Sequence, residues 1–182
     1  MAIKLNLFVA FLMIYIYYIT EVYSRLEVTN IQCKSLDKDF ALIENCFLKS
    51  VNRSYKYISI KVNLLQKPVT NVKVHFGLYQ RLNGYKPFLY NITLDACKFL
   101  KSPKSNPVAL YFYNYFKNFS NMQHPCPYDH DIIVDKMSYD SINNMATKVL
   151  PFPEGNYMFE TDWISYGIRR AVVKLYSSLT TY

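Results

Sequence analysis

Every second residue is apolar in two stretches of the central chain, residues 57–64 and residues 72–79. This period of two is typical of strands that bury one face and expose the other. Gln66-Lys67-Pro68 interrupts the pattern between the two stretches. The pattern therefore predicts two half-buried strands whose inward positions are Ile58, Ile60, Val62, Leu64, Val72, Val74, Phe76 and Leu78.

The same period recurs in two segments near the end of the chain, the first of which begins at the Gly155-Asn156 turn. Asn83-Gly84 is a hairpin-type turn signal, on a loop slightly longer than minimal. Weaker strand patterns cover residues 27–33, 40–48, 88–95 and 131–137. In the two late segments, the residues predicted to share an inward face are Tyr157, Phe159 and Trp163, and then Ala171, Val173 and Leu175.

One segment has the periodicity of a helix instead. Asn106 followed by Pro107 is typical of an N-cap with proline at the first helical position. The pattern predicts one short helix that begins there and ends before Asn121. Its apolar positions recur at helical spacing and are Val108, Phe112, Tyr115, Phe116 and Phe119.

The first 24 residues have the organisation of a secretory signal peptide. Lys4 precedes an unbroken apolar run over residues 7–19, and Val22-Tyr23-Ser24 matches a small-residue cleavage site. A membrane-spanning helix needs about 20 apolar residues, and this run is shorter. We therefore expect cleavage after Ser24, secretion of residues 25–182 into the extracellular space, and no stable membrane span.

Composition favours a single β-rich domain in residues 25–182. The chain has 18 tyrosines, 12 phenylalanines and only 4 glycines, which suits strands with large side chains. Several strands with one helix, in a secreted domain of this size, predict a mostly β fold of the antiparallel sandwich type. The net charge of +8 comes from scattered basic residues, so nucleic acid is not expected as a partner.

Four cysteines lie in the predicted mature chain. An even number in an oxidising compartment indicates two disulfides, for which three pairings are possible. We expect Cys33–Cys46 and Cys97–Cys126, because each pair joins neighbours in the sequence. A zinc site is not expected, since the chain has no CxxC or paired-histidine spacing, and no metal or cofactor is predicted.

Three sequons without a central proline begin at Asn52, Asn91 and Asn118. Each becomes an acceptor for an N-linked glycan only where it lies on the surface of a secreted protein. Three of them behind a signal peptide predict a glycoprotein.

Catalytic chemistry is not indicated by the sequence. Asp129-His130-Asp131 is the tightest acid–base cluster, but no candidate nucleophile accompanies it once the cysteines are assigned to disulfides. The chain contains neither a G-x-S-x-G nor an H-E-x-x-H motif. We interpret the cluster as a turn rich in polar residues that leads into a strand. Enzymatic activity is therefore not expected.

Four sets of residues occur in a specific order along nearly the whole predicted mature chain. They are Asn52-Arg53-Ser54 after Cys46; residues 83–91 leading to residues 95–100; Ser120-Asn121 with residues 124–128; and residues 150–157. This set resembles a large family of uncharacterised secreted proteins of flies and other insects, whose relatives include the CheB chemosensory proteins. That family is similar to the ML lipid-recognition superfamily, whose better-known members carry sterols, glycolipids or lipid A.

The resemblance implies an immunoglobulin-like, ML-like sandwich of two antiparallel sheets that hold an acyl chain or sterol between them. Such a pocket is lined mostly by apolar side chains, because the ligand gains free energy from its buried apolar area. A filled core would show the same alternation, so the pattern leaves both interpretations open. The residues expected to line the pocket are Ile60, Val62, Val74, Phe76, Tyr157, Phe159 and Val173.

Two functions follow from these features. The first is a secreted binding protein for a hydrophobic small molecule, such as a lipid, sterol or pheromone-like compound, in chemosensation, with an extracellular receptor as a further partner. The second is a secreted protein-interaction module with a filled core and no ligand. It rests on tyrosines that are expected at the surface and favoured at interfaces: Tyr55, Tyr57, Tyr79 and Tyr128.

Overall fold

A computed structural model describes residue 11 and residues 24–52, 55–149 and 152–181, excepting the side chains of residues 145 and 147–149. The described residues form two antiparallel sheets that pack face to face, with short helices beside them. The predicted mostly β sandwich is thus confirmed. The predicted signal peptide lies outside the described residues, apart from Phe11 and Ser24. In the part of the chain that the structure describes, no helix is both long and apolar enough to cross a membrane.

The larger sheet has five antiparallel strands. In chain order they are β1 (Ser24–Ser35), β4 (Val72–Leu82), β5 (Gly84–Asp95), β7 (Gly155–Ser165) and β8 (Ile168–Thr181). Their order across the sheet is β1-β8-β7-β4-β5. β1 pairs with β8 from Ser24, opposite Thr181, to Ser35, opposite Ala171, so an early and a late segment of the chain lie side by side.

The smaller sheet has three antiparallel strands, β2 (Ala41–Ser50), β3 (Lys56–Leu64) and β6 (Ile132–Ser138), in the order β2-β3-β6. Each strand predicted from the alternation is present. The Asn83-Gly84 turn is tighter than predicted, since Leu82 pairs directly with Gly84. The φ of Gly84 is +89°, a conformation that a side chain would disfavour, which explains glycine at this point.

The core lies between the two sheets because the apolar face of each strand points to the opposite sheet. Val28 of β1, Ile58 of β3 and Val134 of β6 are all buried in the main cluster. The outer face of the larger sheet is polar: on it, the Lys174 Nζ lies 2.8 Å from a Glu160 carboxylate oxygen on the neighbouring strand. This division into an apolar and a polar face is the one that the period of two predicts.

The predicted helix is present as α2, but the prediction of one helix was wrong for the described chain as a whole. Between residues 24 and 181, where the structure describes them, the α-helices are α1 (Ala96–Lys101), α2 (Pro107–Phe116) and α3 (Tyr139–Val149), and short 3-10 helices cover Pro103–Ser105 and Lys117–Phe119. In α2 the Ala109 N–H donates to the Asn106 side chain at 3.0 Å, as an N-cap requires. With six residues, α1 is too short to show a helical period, and α3 carries mostly polar residues. The helical conformation of both segments therefore depends on their tertiary contacts.

Two disulfides are present, with the predicted pairing. Cys33–Cys46 joins β1 to β2 and so ties an edge of one sheet to an edge of the other, with a Cα–Cα distance of 6.1 Å. Cys97–Cys126 joins α1 to the loop before β6, with a Cα–Cα distance of 5.2 Å. The first bridge therefore connects the two sheets, and the second connects the helix that follows β5 to the loop that precedes β6.

Candidate ligand-binding cavity

The described residues line two adjoining cavities between the sheets. The first has a volume of about 200 Å³ and the second of about 220 Å³. Each is larger than the ~150 Å³ of an engineered apolar cavity that holds benzene. They adjoin because they share eight lining residues, namely Ile60, Phe116, Met122, Val134, Phe159, Thr161, Trp163 and Val173.

The structure places all seven of the residues predicted to line a pocket on these walls. Ile60, Phe159 and Val173 line both cavities. Tyr157 lines the first cavity. The remaining three line the second and are Val62, Val74 and Phe76. Their inward position is thus confirmed, whereas a ligand-binding role for them remains a prediction.

Sequence reasoning missed the part of the wall that the helices supply. Four aromatic residues of α2 line the first cavity, together with Ile142 and Ala146 of α3. The helical spacing in α2 predicted an apolar face, but a period alone does not show which surface that face covers. The four-residue spacing of Ile142 and Ala146 was the available signal for α3. The aromatic residues are Tyr111, Phe112, Tyr115 and Phe116.

Aromatic packing fixes α2 against the larger sheet. The Phe112 ring stacks on Phe159 of β7 with centroids 4.8 Å apart, and it meets Phe76 of β4 edge-on at 5.1 Å. Such pairs stabilise beyond the area that they bury, by roughly 1 kcal/mol each. One face of the first cavity is therefore a fixed aromatic wall.

α3 lines the same cavity beside the beginning of β1. The Leu26 N–H donates to Asn143 Oδ1 at 2.8 Å, and the Arg25 Nε donates to the Tyr139 hydroxyl at 3.2 Å. Ile142, which lines the first cavity, lies in α3 next to Asn143. These hydrogen bonds hold the helix against β1 and so position its part of the wall.

Polar groups are few on the wall of the first cavity. The hydroxyl oxygens of Tyr111 and Tyr115 lie 2.5 Å apart and form a hydrogen bond. Burial raises the pKa of both hydroxyls, more strongly that of Tyr115, so both stay protonated at neutral pH. The Tyr157 hydroxyl donates to the Pro153 carbonyl at 2.5 Å, so this group is already engaged.

The one charged residue among the described lining of the two cavities is Arg170, in the second. Its guanidinium carbon lies 4.2 Å from the centre of the Phe40 ring, which is a cation–π contact. It also donates to the Asp37 carboxylate and, at 3.3 Å, to the Ser165 carbonyl. Arg170 is thus held by protein groups on the wall of the second cavity.

The Asp129-His130-Asp131 segment lies in a hydrogen-bonded loop. Lys67 Nζ lies 2.6 Å from an Asp131 oxygen, and this hydrogen bond, helped by the Leu64 N–H, lowers the pKa of Asp131. The Nε2 atoms of His124 and His130 lie 2.8 Å apart. Among the described residues no group of three or more metal-ligating side chains is found. The contacts of this segment join the loop to β3 and the connection that follows it.

The three sequon asparagines are exposed: Asn52 in the β2–β3 connection, Asn91 on β5 and Asn118 after α2. Of the four tyrosines expected at the surface, Tyr128 is buried, so that expectation was wrong. Its ring packs on His124, and its hydroxyl donates to the His124 carbonyl at 2.7 Å. The other three are half-buried and are Tyr55, Tyr57 and Tyr79.

The fold and the cavity define a two-sheet β-sandwich with an apolar hollow interior. A family model described as "Protein of unknown function (DUF1091)" matches residues 74–159. The chain is similar to that family from β4 into β7, a region that includes α1, α2 and α3. No curated protein matches the chain.

Proposed function

We propose that this protein is a secreted binding protein for a hydrophobic small molecule. The observation that carries the proposal is the pair of adjoining apolar cavities between the sheets, of about 200 and 220 Å³. An apolar ligand placed there would gain roughly 25 cal/mol for each Å² that leaves water. Mostly apolar walls with a few polar groups are typical of small-molecule sites.

The resemblance to insect secreted proteins related to the CheB chemosensory proteins supports the same function. The similarity over residues 74–159 includes α2 and α3, which contribute to the cavity wall. The two disulfides support an extracellular location, because such bonds persist in oxidising compartments. We propose a lipid, sterol or pheromone-like ligand, and a role in chemosensation with an extracellular receptor as the next partner.

Filling the cavity tests this function directly. Val173 lines both cavities, so Val173→Phe places a ring in space that a ligand would use. We expect normal secretion and at least about a tenfold loss of affinity for a neutral fluorescent apolar probe, a change worth 1.4 kcal/mol. Thr180→Phe is the matched control, because Thr180 is exposed on the same strand and lies outside both linings.

Two results would count against the proposal. Delipidated wild-type protein that takes up no apolar probe would show that the cavities are not a binding site. Equal affinities for wild type and Val173→Phe, with both proteins folded, would show that the probe binds elsewhere. Native mass spectrometry of the secreted protein, before and after organic extraction, would show whether a natural ligand is carried.

The alternative is a protein-interaction module, which one surface feature favours. Phe47 and Val51 are 39% and 56% exposed, and the Phe47 ring lies 6.3 Å from that of Tyr57 on the smaller sheet. Exposed aromatic residues are enriched at interfaces. This function would gain support if the wild-type protein bound no apolar probe while Phe47→Ser changed its association with secreted partners.

A further inference from the structure

The hydroxyl pair of Tyr111 and Tyr115 is one of the few polar features in a cavity whose walls are mostly apolar. Both residues line the first cavity, and their oxygens lie 2.5 Å apart. They are four residues apart in α2, so one helix face presents both rings. The rings also pack edge-on with centroids 5.2 Å apart, which fixes the separation of the two oxygens.

The tyrosine pair has one hydroxyl proton that its own hydrogen bond does not use. Each tyrosine hydroxyl has one proton to donate and lone pairs that accept. Whichever oxygen donates within the pair, the other keeps a proton that the pair does not use. Within the described residues, neither hydroxyl makes another hydrogen bond. The pair is half-buried. A ligand that displaces water from it would leave this proton without an acceptor unless the ligand itself supplies an oxygen there.

The charge of the surroundings restricts which oxygen fits. None of the described residues that line the first cavity carries a charge. Arg170 lines the second cavity, but it is already paired with Asp37. A carboxylate moved from water to the tyrosine pair would lose its hydration and meet no cation, which is strongly unfavourable. An uncharged oxygen loses much less hydration free energy when it leaves water.

We propose that the Tyr111–Tyr115 pair donates one hydrogen bond to an uncharged oxygen of the ligand, so that the protein selects neutral lipids over fatty-acid anions. The ligand class is then a long-chain alcohol, aldehyde or ester, with its alkyl chain along the apolar walls. This inference rests on the proposed function, because it names the chemistry of the ligand that the same cavity takes.

Three ligands of equal chain length test the inference: decane, 1-decanol and decanoate, each in competition with a neutral fluorescent probe. Near pH 7 we expect 1-decanol to bind about fivefold more tightly than decane, as one net hydrogen bond allows. Decanoate should bind more weakly than 1-decanol. When the pH is lowered to about 4.5, near the carboxyl pKa of ~4.3, decanoate should gain affinity while 1-decanol does not.

Variants assign the preference to the tyrosine pair. In Tyr111→Phe/Tyr115→Phe the advantage of 1-decanol over decane should disappear, while decane binds as before. Tyr90→Phe is a matched control, because Tyr90 contacts the Phe112 ring but lies outside the cavity lining. Ser177→Ala removes the hydroxyl of another lining residue and should leave the preference intact.

The outcomes separate this inference from the proposed function. If wild-type protein binds none of the three ligands, both fail. If decane binds but 1-decanol binds no better, or if decanoate binds best near pH 7, only the tyrosine assignment fails. Loss of the preference in Ser177→Ala, with the double phenylalanine variant unchanged, would place the polar end of the ligand at Ser177 instead.

Discussion

Arg169 and Arg170 are adjacent in the sequence but lie in different surroundings on β8. Arg170 is only 11% exposed and is held between the Phe40 ring and the Asp37 carboxylate. Arg169 is 48% exposed and lies within 4 Å of two carboxylates on the outer face, at 2.5 and 3.5 Å. Loss of the partners of a buried charged side chain therefore costs far more free energy of unfolding than loss of the partners of an exposed one.

We expect Arg170→Ala to lower the free energy of unfolding by about 2 kcal/mol, because the charged hydrogen bonds to Asp37 and Ser165 are lost. Arg169→Ala is the matched control and should cost less than about 1 kcal/mol, as exposed ion pairs do. Urea unfolding of ligand-free protein measures both. Equal destabilisation by the two substitutions would contradict the assignment of Arg170 to a structural contact.

At the residue scale, alternation predicted the inward positions well. Val74 and Phe76 are buried on β4, and Ile60 and Val173 face the same interior. A period of two fixes which side of a sheet a residue faces, but not what lies opposite. The burial of Tyr128 could not be read in this way, since it depends on a loop contact with His124 and on an isolated bridge to Val69.

At the scale of elements, α3 is joined to β1 by hydrogen bonds, one of which uses a buried side chain of the helix. The Leu26 N–H donates to Asn143 Oδ1 at 2.8 Å, and Asn143 is buried. Leu26 lies near the start of β1, which is the edge strand of the larger sheet and pairs within it only with β8. A side chain from the helix therefore takes part in the hydrogen bonding at the edge of the larger sheet.

We expect Asn143→Ala to destabilise the protein by about 1–3 kcal/mol, because it leaves a backbone donor without its acceptor. Amide hydrogen exchange should rise in residues 24–28 and 139–149 before it rises elsewhere. Asn144→Ala is the control, since Asn144 is the exposed neighbour on the same helix. If exchange in α3 were the same in both variants, the anchoring role of Asn143 would be wrong.

The strands and α2 were predicted from local patterns, whereas α1 shows no such pattern and α3 shows only the weak spacing of Ile142 and Ala146. Strands and α2 carry a strong local period, and Asn106-Pro107 marks where α2 begins. α1 follows β5 directly and is held by the Asp95 cap and the bridge at Cys97. The contacts that fix α3 join residues more than 100 positions apart, so a local window does not contain them.

At the scale of the whole molecule, the sandwich and both disulfides followed from the sequence, but the hollow interior did not. Filled and hollow sandwiches need the same alternation, and the difference lies in how far apart the sheets are held. Here Cys33–Cys46 closes one side, while α2 contributes large aromatic side chains to the wall between the layers. The volume left inside depends on these long-range connections, which no single strand encodes.

Three sequons lie on the surface of the described chain. Asn52, Asn91 and Asn118 are all exposed, and they lie in different elements of the fold. At Asn52 the side-chain oxygen accepts the Tyr55 N–H at 2.7 Å, while a glycan is attached through the amide nitrogen, so this hydrogen bond can persist. Glycosylation at these points should therefore leave the fold unchanged.

We expect protein secreted from insect cells to carry N-linked glycans, with Asn52 the first candidate. Enzymatic deglycosylation should increase its electrophoretic mobility, and intact mass spectrometry of Asn52→Gln, Asn91→Gln and Asn118→Gln should show which sites are used. Each variant removes a single acceptor at an exposed position, so secreted yield serves as the control for folding. Secreted protein without any mobility shift would contradict the glycoprotein prediction, and failure of wild-type protein to leave the cell would contradict the secretory route itself.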